Sequence, residues 1–429
     1  MLHLACIPII WYIKVTNCLS YSFEILVISE PMIKIVFLFC AIWICSGTTA
    51  AAQSDETTTK DSVELNTDTL TTDKGLFSRW YQASGVSPAA DIRTEDGLLL
   101  GLTFKTKENK NPEQPDHDIH SFTALHSLST KSFILKYKSE WLKVFRNTDI
   151  TINAIADMTG NILNYFGQGN NTPFERQGDH SRFYRVNFSY YLAEPALRFN
   201  LRNNVTISVG PSFQYYSNGS NNDRFINTAQ IINSFDNIFS DKAHGGGALS
   251  FGWDKRNDFL VPTRGFKFEL RLHGYEGLND VSDAYAQAFP QFSFYIPLSK
   301  KGNFVLAERI GAGFTAGDTE FYQSAFLGSQ DNLLGFRKHR FAGEHLLYNN
   351  LELRFSFADI KRAFLPAKMG LIGFYDAGRV WVDNEDSDRI HHGVGAGVYL
   401  YPFNRFFVRG IAGYSKEGWQ PTVTLHQRF

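Results

Sequence analysis

The sequence predicts an all-β chain, a transmembrane antiparallel β-barrel of about 16 strands with one outer loop folded into the lumen. Three observations carry that reading. From Val86 to Phe429 apolar and polar residues alternate, with turn residues at fairly regular intervals. Short turns (Arg202-Asn203-Asn204, Ser299 to Gly302, Pro402-Phe403-Asn404) alternate with long polar loops (Thr159 to Asp179, Asn218 to Lys242, Asp383 to His391), as short periplasmic and long outer connections do. Aromatic residues make up 15% of the chain, with 38 Phe, yet mean hydropathy is −0.22. A helical membrane protein would be clearly apolar on average; a barrel that alternates lipid-facing and lumen-facing residues need not be.

The 429 residues suffice for two ordinary domains or one large all-β body. A net charge of −1 offers no overall field to recruit nucleic acid or an anionic surface. Cys6, Cys18, Cys40 and Cys45 all precede residue 46, so the body carries no disulfide framework, Cys-ligated metal or thiol nucleophile.

Residues 1–31 read as an upstream extension that does not belong to the native product. Met32, Lys34, the apolar run Ile35 to Cys45 and Ala50-Ala51-Ala52 make 32–52 an export signal, with cleavage expected after Ala52. The apolar run is short of the roughly 20 residues a spanning helix needs. Bulky Trp43 and Ile44 before Cys45 speak against lipid attachment. Residues 53–83 are rich in Thr, Asp and Ser and have too little apolar surface to fold. They are expected to form a flexible periplasmic segment where a separate periplasmic protein docks.

The barrel itself is expected over 84–429. Its strands are predicted near 86–94, 97–107, 118–129, 132–144, 149–158, 182–201, 205–217, 244–256, 264–275, 284–297, 303–316, 345–357, 368–380, 393–401, 406–414 and 421–429. An even count returns both ends to the periplasmic side. The first strand, with Pro88 and two alanines, is the weakest. It is expected to pair with the last, which Phe429 closes, so that seam is a candidate weak point.

The stretch Gly328 to Trp381 organises the rest. GSQDNLLGFRKHRFAG is a Gly-rich polar loop carrying Arg337, Lys338, His339 and Arg340, with Phe336 and Phe341 embedded in it, too long for an idle connector. The following strand sets Asn350, Glu352, Arg354 and Ser356 on one face and Leu351, Leu353, Phe355 and Phe357 on the other. The next strand presents Asp376 just before Gly378. A basic loop followed by a lone carboxylate predicts a loop folded back into a polar interior.

No enzyme, cofactor or metal is expected. His391-His392 lacks a third ligand and reads as exposed loop histidines; the acidic run Asp383 to Asp388 lacks the glycine and spacing of a calcium loop and reads as a solvated outer loop near lipopolysaccharide. Gly245-Gly246-Gly247 opens a strand, not a helix, so it is no phosphate cradle. His273 and His426 read as lumen lining.

Leu334-Gly335-Phe336-Arg337, Arg340-Phe341-Ala342-Gly343, Asn350 to Arg354, Gly373-Phe374-Tyr375-Asp376-Ala377-Gly378-Arg379-Val380-Trp381 and the terminal Phe together resemble the barrel of the bacterial surface antigen family. This is the BamA/TamA-like superfamily, which includes two-partner secretion transporters. Asp254, Arg256, Pro262 and Gly265 share the resemblance, which runs from about Val86 to Phe429. Asn164-Tyr165-Phe166-Gly167-Gln168-Gly169-Asn170 looks most like barrels carried behind a metallophosphoesterase domain. The resemblance implies outer-membrane location and the movement or insertion of a protein or lipid substrate, among outer-membrane lipids and lipopolysaccharide. A structural anchor or weakly conducting plugged pore is the alternative. Two departures stand out. Residues 53–83 leave no room for the POTRA modules of relatives that assemble or export proteins. The resemblance also implies a loop locked into the lumen by an Arg just before the Gly-Phe pair, reaching for the carboxylate at Asp376; this chain has Leu334 there. A carboxylate in a partly water-excluded lumen costs several kcal/mol unless paired, so Arg337 or Arg340 is expected to supply the cation instead, and Gly335, Phe336, Arg337, Arg340 and Asp376 are the candidate loop and its lock.

Overall fold

Period-two alternation becomes sixteen strands of one antiparallel sheet in the computed structural model, each hydrogen-bonded to its neighbour in chain order. The structure describes residues 85–429 except 94–96, 109–117, 176–179, 220, 229–230, 232–234, 236, 260, 361–366, 384, 403–406 and 425–426. Contacts divide the chain into Met1–Leu70 and Thr71–Phe429, and all described residues belong to the second unit. The expected extension, export signal and flexible segment (1–83) lie outside the described residues.

The strands are β1 (Gly85–Arg93), β2 (Gly97–Glu108), β3 (Asp118–Ser127), β4 (Phe133–Phe145), β5 (Thr148–Asn164), β6 (Arg185–Leu201), β7 (Val205–Asn218), β8 (Lys242–Asp254) and β9 (Gly265–Gly277). They continue as β10 (Tyr285–Pro297), β11 (Phe304–Gly317), two short loop strands β12 (Ala325–Leu327) and β13 (Phe341–Gly343), then β14 (His345–Ile360), β15 (Ala367–Trp381), β16 (His391–Pro402), β17 (Val408–Ser415) and β18 (Gly418–Thr424). β12 pairs only with β13; β11 pairs directly with β14.

Two expected boundaries move furthest. The fifth strand extends through Asn164, because Gly160, Asn161, Leu163 and Asn164 still pair with β6 beyond two register shifts. The last strand ends at Thr424 rather than Phe429. The expected pairing of first and last strands is absent as a ladder among the described residues: β1 pairs with β2 and β18 with β17.

The two faces of the sheet are inverted relative to a water-soluble protein. On β14, Asn350, Glu352 and Arg354 are buried, while Leu353 is 40%, Phe355 41% and Phe357 53% exposed. The same holds on β11, where Arg309 is buried and Ile310 exposed, and on β15, where Asp376 is buried and Leu371 exposed. Burying charge while exposing hydrocarbon is favourable only when the outer medium is itself apolar. No helix among the described residues is long and apolar enough to cross a membrane; strands do the crossing.

The interior has two parts. Outer loops and the adjoining ends of β6 and β7 pack an aromatic dome of Tyr165, Phe166, Tyr184, Phe188, Tyr216, Phe225 and Phe321. Tyr216 and Tyr322 stack at 4.2 Å, and Phe166 and Tyr184 lie 4.6 Å apart. Elsewhere on the inner face the strands contribute a polar network, and the loop between β11 and β14 reaches into it.

Candidate functional site

The loop between β11 and β14 is a small hairpin with a shaped tip. Its β12 and β13 pair antiparallel, Ala325 with Gly343 and Leu327 with Phe341. The tip turns on Gly328, Ser329, Gly335 and His339, all at positive φ. Glycines on the barrel wall make its slot. A Cβ on Gly393 of β16 would stand 1.8 Å from the Leu334 carbonyl oxygen, and one on Gly413 of β17 2.7 Å from the Gly335 nitrogen. The seat is closed by the Ser415 hydroxyl, which donates to the Gly335 carbonyl at 2.6 Å. Leu334 packs on Phe374 and Ile411.

Asp376 of β15 is fully buried and meets the loop through backbone. The Leu334 N–H donates to its Oδ2 at 2.7 Å. Its countercharge comes from the end of the chain: Arg428 grips it with both arms, Nη1 to Oδ1 at 2.9 Å and Nη2 to Oδ2 at 2.6 Å. Bidentate pairing of this kind is the strong form of the carboxylate–guanidinium contact.

A network extends from there along the inner face. Arg309 of β11 donates to Asn350 Oδ1 at 2.9 and 2.7 Å, and to the carbonyls of Asp331 and Arg428. Asn350 in turn donates to the Asn332 carbonyl of the loop at 2.7 Å. Glu352 accepts from Arg354 Nε at 3.0 Å and from Arg409 Nη1 at 3.1 Å. Four arginines (309, 354, 409 and 428) thus face two carboxylates (352 and 376). A cavity of about 510 Å³ opens beside them, lined among others by Arg271, Arg309, Asn332 and Arg428.

A second clamp holds the loop at the outer mouth. Arg340 donates to Glu417 Oε1 at 2.5 Å, to Thr172 Oγ1 at 2.5 Å and to the Thr172 carbonyl at 2.8 Å. Its guanidinium also lies 4.6 Å from the Phe341 ring centre. Arg337 sits over Phe174 at 5.0 Å. Phe336 packs edge-on to Phe341, which stacks on His391 at 3.7 Å. Burial holds the His339 imidazole well below its ordinary pKa, and neighbouring Lys338 adds to the effect.

The Asn164 to Asn170 segment completes this clamp. Gln168 bridges to Ala342, Gly169 N–H donates to the Ala342 carbonyl at 2.8 Å and Asn164 Nδ2 to the Lys338 carbonyl at 3.3 Å. Asn170 caps β15 like a missing strand, donating to the Val380 carbonyl at 2.7 Å and accepting from its N–H at 3.1 Å. That contact joins the loop after β5 to β15.

The structure corrects several expectations. Arg337 and Arg340 do not supply the cation for Asp376; both serve the outer clamp, because the tip approaches the wall through Leu334 and Gly335. Phe429 closes no strand. It lies past β18, packed with Tyr295, Val305 and Ala307, with the Arg309 and Arg354 guanidinium groups 4.9 and 5.3 Å from its ring centre. His391 and His392 are not a loop pair: they open β16 and point to opposite faces, His391 inward and His392 to Tyr375 at 2.8 Å. The acidic run is not simply solvated, since Glu385 accepts from the Asn170 and Asn171 N–H groups at 2.8 and 3.0 Å. His426 lies outside the described residues.

Arg428, the wall glycines Gly393 and Gly413, and Glu417 escape sequence reasoning. Alternation over 421–429 sets Arg428 on one face with Thr422 and Thr424, but its partner is visible only in three dimensions.

The Omp85 superfamily domain model matches residues 127–403. No curated protein is significantly similar in sequence. Among solved structures, BamA from Haemophilus ducreyi lacking POTRA domains 1-3 superposes with a TM-score of 0.57 at 14% identity, covering 79% of this chain and 70% of that one. CdiB from Escherichia coli gives 0.49 at 13% identity, covering 79% and 61%, and CdiB from Acinetobacter baumannii 0.45 at 15%, covering 80% and 59%.

Proposed function

The chain belongs to the Omp85 superfamily, and on that premise we propose that this outer-membrane barrel moves or inserts a protein substrate, with the described structure as its closed state. One observation carries the reading. The inward loop, the wall of β15 and the residues after β18 meet on a single carboxylate, Asp376, through Leu334 N–H and Arg428. A loop tied in this way to the end of the last strand couples the state of the lumen to the state of the β1–β18 seam. Release of Arg428 frees the loop and the terminal residues together. A periplasmic protein docking at 53–83 is the expected partner, with lipopolysaccharide around the outer rim.

Depletion of the protein tests this: other barrels should fall in abundance in the outer membrane, and restoring the chain should recover them. Unchanged levels of every outer-membrane and surface protein would reject substrate handling. A plugged or anchoring barrel is the second reading, favoured by the aromatic dome that fills the outer mouth. It is supported if depletion changes no other protein while purified barrel still inserts into bilayers and conducts weakly.

A further inference from the structure

The outward face of β10, β11 and β14 is hydrocarbon almost throughout. Phe292, Ile310, Phe314, Leu347, Leu353 and Phe355 are all large, apolar and exposed there. In its midst stands Glu308. Its side chain points outward: it pairs across the sheet with Phe294 and Leu351, and along its own strand it lies between Leu306 and Ile310. Its Oε1 accepts a hydrogen bond from Asn349 Nδ2 at 2.7 Å. Among the described residues no cation stands within ion-pair distance of it. The outward-facing cation of β15, Arg379, is taken up by Asp388 and the Ser387 carbonyl and lies over Trp381.

A carboxylate on the lipid-facing side of a barrel is disfavoured, and ionisable groups within the membrane are found with a partner. Asn349 supplies one neutral amide proton and no charge. Acyl chains supply neither. Lipid phosphates and lipopolysaccharide are anionic, and ammonium headgroups stay at the interface, beyond the Phe304 and Phe314 ends of this band. We propose that Glu308 and Asn349 mark a lateral docking surface on β11 and β14 for a membrane-embedded partner protein, which presents a lysine or arginine at this depth. The charge left uncompensated on this chain is the complement of that cation. The surface lies away from β1 and β18, so a partner here leaves the seam clear.

The test uses the full chain in its native outer membrane, with a photoreactive phenylalanine analogue in place of Leu351. Illumination should give one discrete protein adduct whose crosslinked peptide carries a basic residue. Glu308→Gln should lower its yield at least fivefold at an equal level of folded barrel. Adducts with lipid only, with a second copy of this chain or with a peptide lacking a basic residue would overturn the proposal, as would a yield indifferent to Glu308→Gln. Failure of Glu308→Gln to fold would assign the carboxylate to the barrel itself and overturn it equally. An independent measurement uses purified barrel in detergent micelles without partner. Glu308→Leu should unfold at a higher temperature than the natural chain, and a lower temperature contradicts the proposal.

Discussion

Asp376 depends on Arg428. Removing one member of a buried ion pair strands the other and costs about 3–5 kcal/mol. Arg428→Ala is therefore expected to lower the unfolding midpoint of the detergent-solubilised barrel markedly. Adding Asp376→Asn to that variant should recover part of the loss, which a double-mutant cycle measures. His339 gives the loop a pH dependence. Its neutral form is favoured when docked. Above its ordinary pKa of about 6.5 docked and released loops are both neutral and nothing is gained or lost. As pH falls below that value the released loop takes up a proton that the docked loop resists, so docking weakens. Protease cleavage within 328–340 should rise between pH 7 and pH 5, and His339→Asn, which keeps a residue tolerant of positive φ, should flatten the profile. At this scale the sequence was half legible. That Asp376 needs a cation followed from the family resemblance and from the cost of an unpaired carboxylate in the lumen, while the source of that cation did not. Arg428 is 52 positions from Asp376 in sequence, and no local pattern ties the two together.

At the scale of elements, alternation was the readable signal, because one face of every strand must suit lipid and the other the lumen. Leu353 tests that directly. Leu353→Arg should cost about 2–4 kcal/mol if the residue faces the membrane interior and close to nothing if it faces water, as unfolding of the reconstituted barrel would report. The loop is less legible. Its basic run suggested a reach for Asp376, yet the fold uses Leu334 and Gly335 because only a narrow tip enters the slot at Gly393 and Gly413. Gly393→Ala puts a methyl 1.8 Å from the Leu334 carbonyl oxygen, and such overpacking typically costs about 1–3 kcal/mol. The loop should be displaced without loss of the barrel, seen as protease-sensitive loop in a protein that keeps its folded mobility on gels. The last strand misled for a different reason. Its alternation runs on to Phe429, but Arg309 and Arg354 offer that ring a cation-lined seat inside, and the chain leaves the sheet at Thr424.

Over the whole molecule, sixteen strands, an inverted polarity and outer loops clamped on an inward hairpin act together. The hairpin is held at two levels, by Arg340, Glu417 and Asn170 at the mouth and by Asp376 and Arg428 deeper in. The deeper lock also holds the residues after β18, so loop and seam are expected to move together. The most direct measurement is the conductance of purified protein in planar bilayers, natural chain against Asp376→Ala. Removing the carboxylate should turn a nearly silent barrel into one with frequent open events, as the hairpin leaves the lumen. Identical traces from the two proteins, with both barrels folded, would contradict the account.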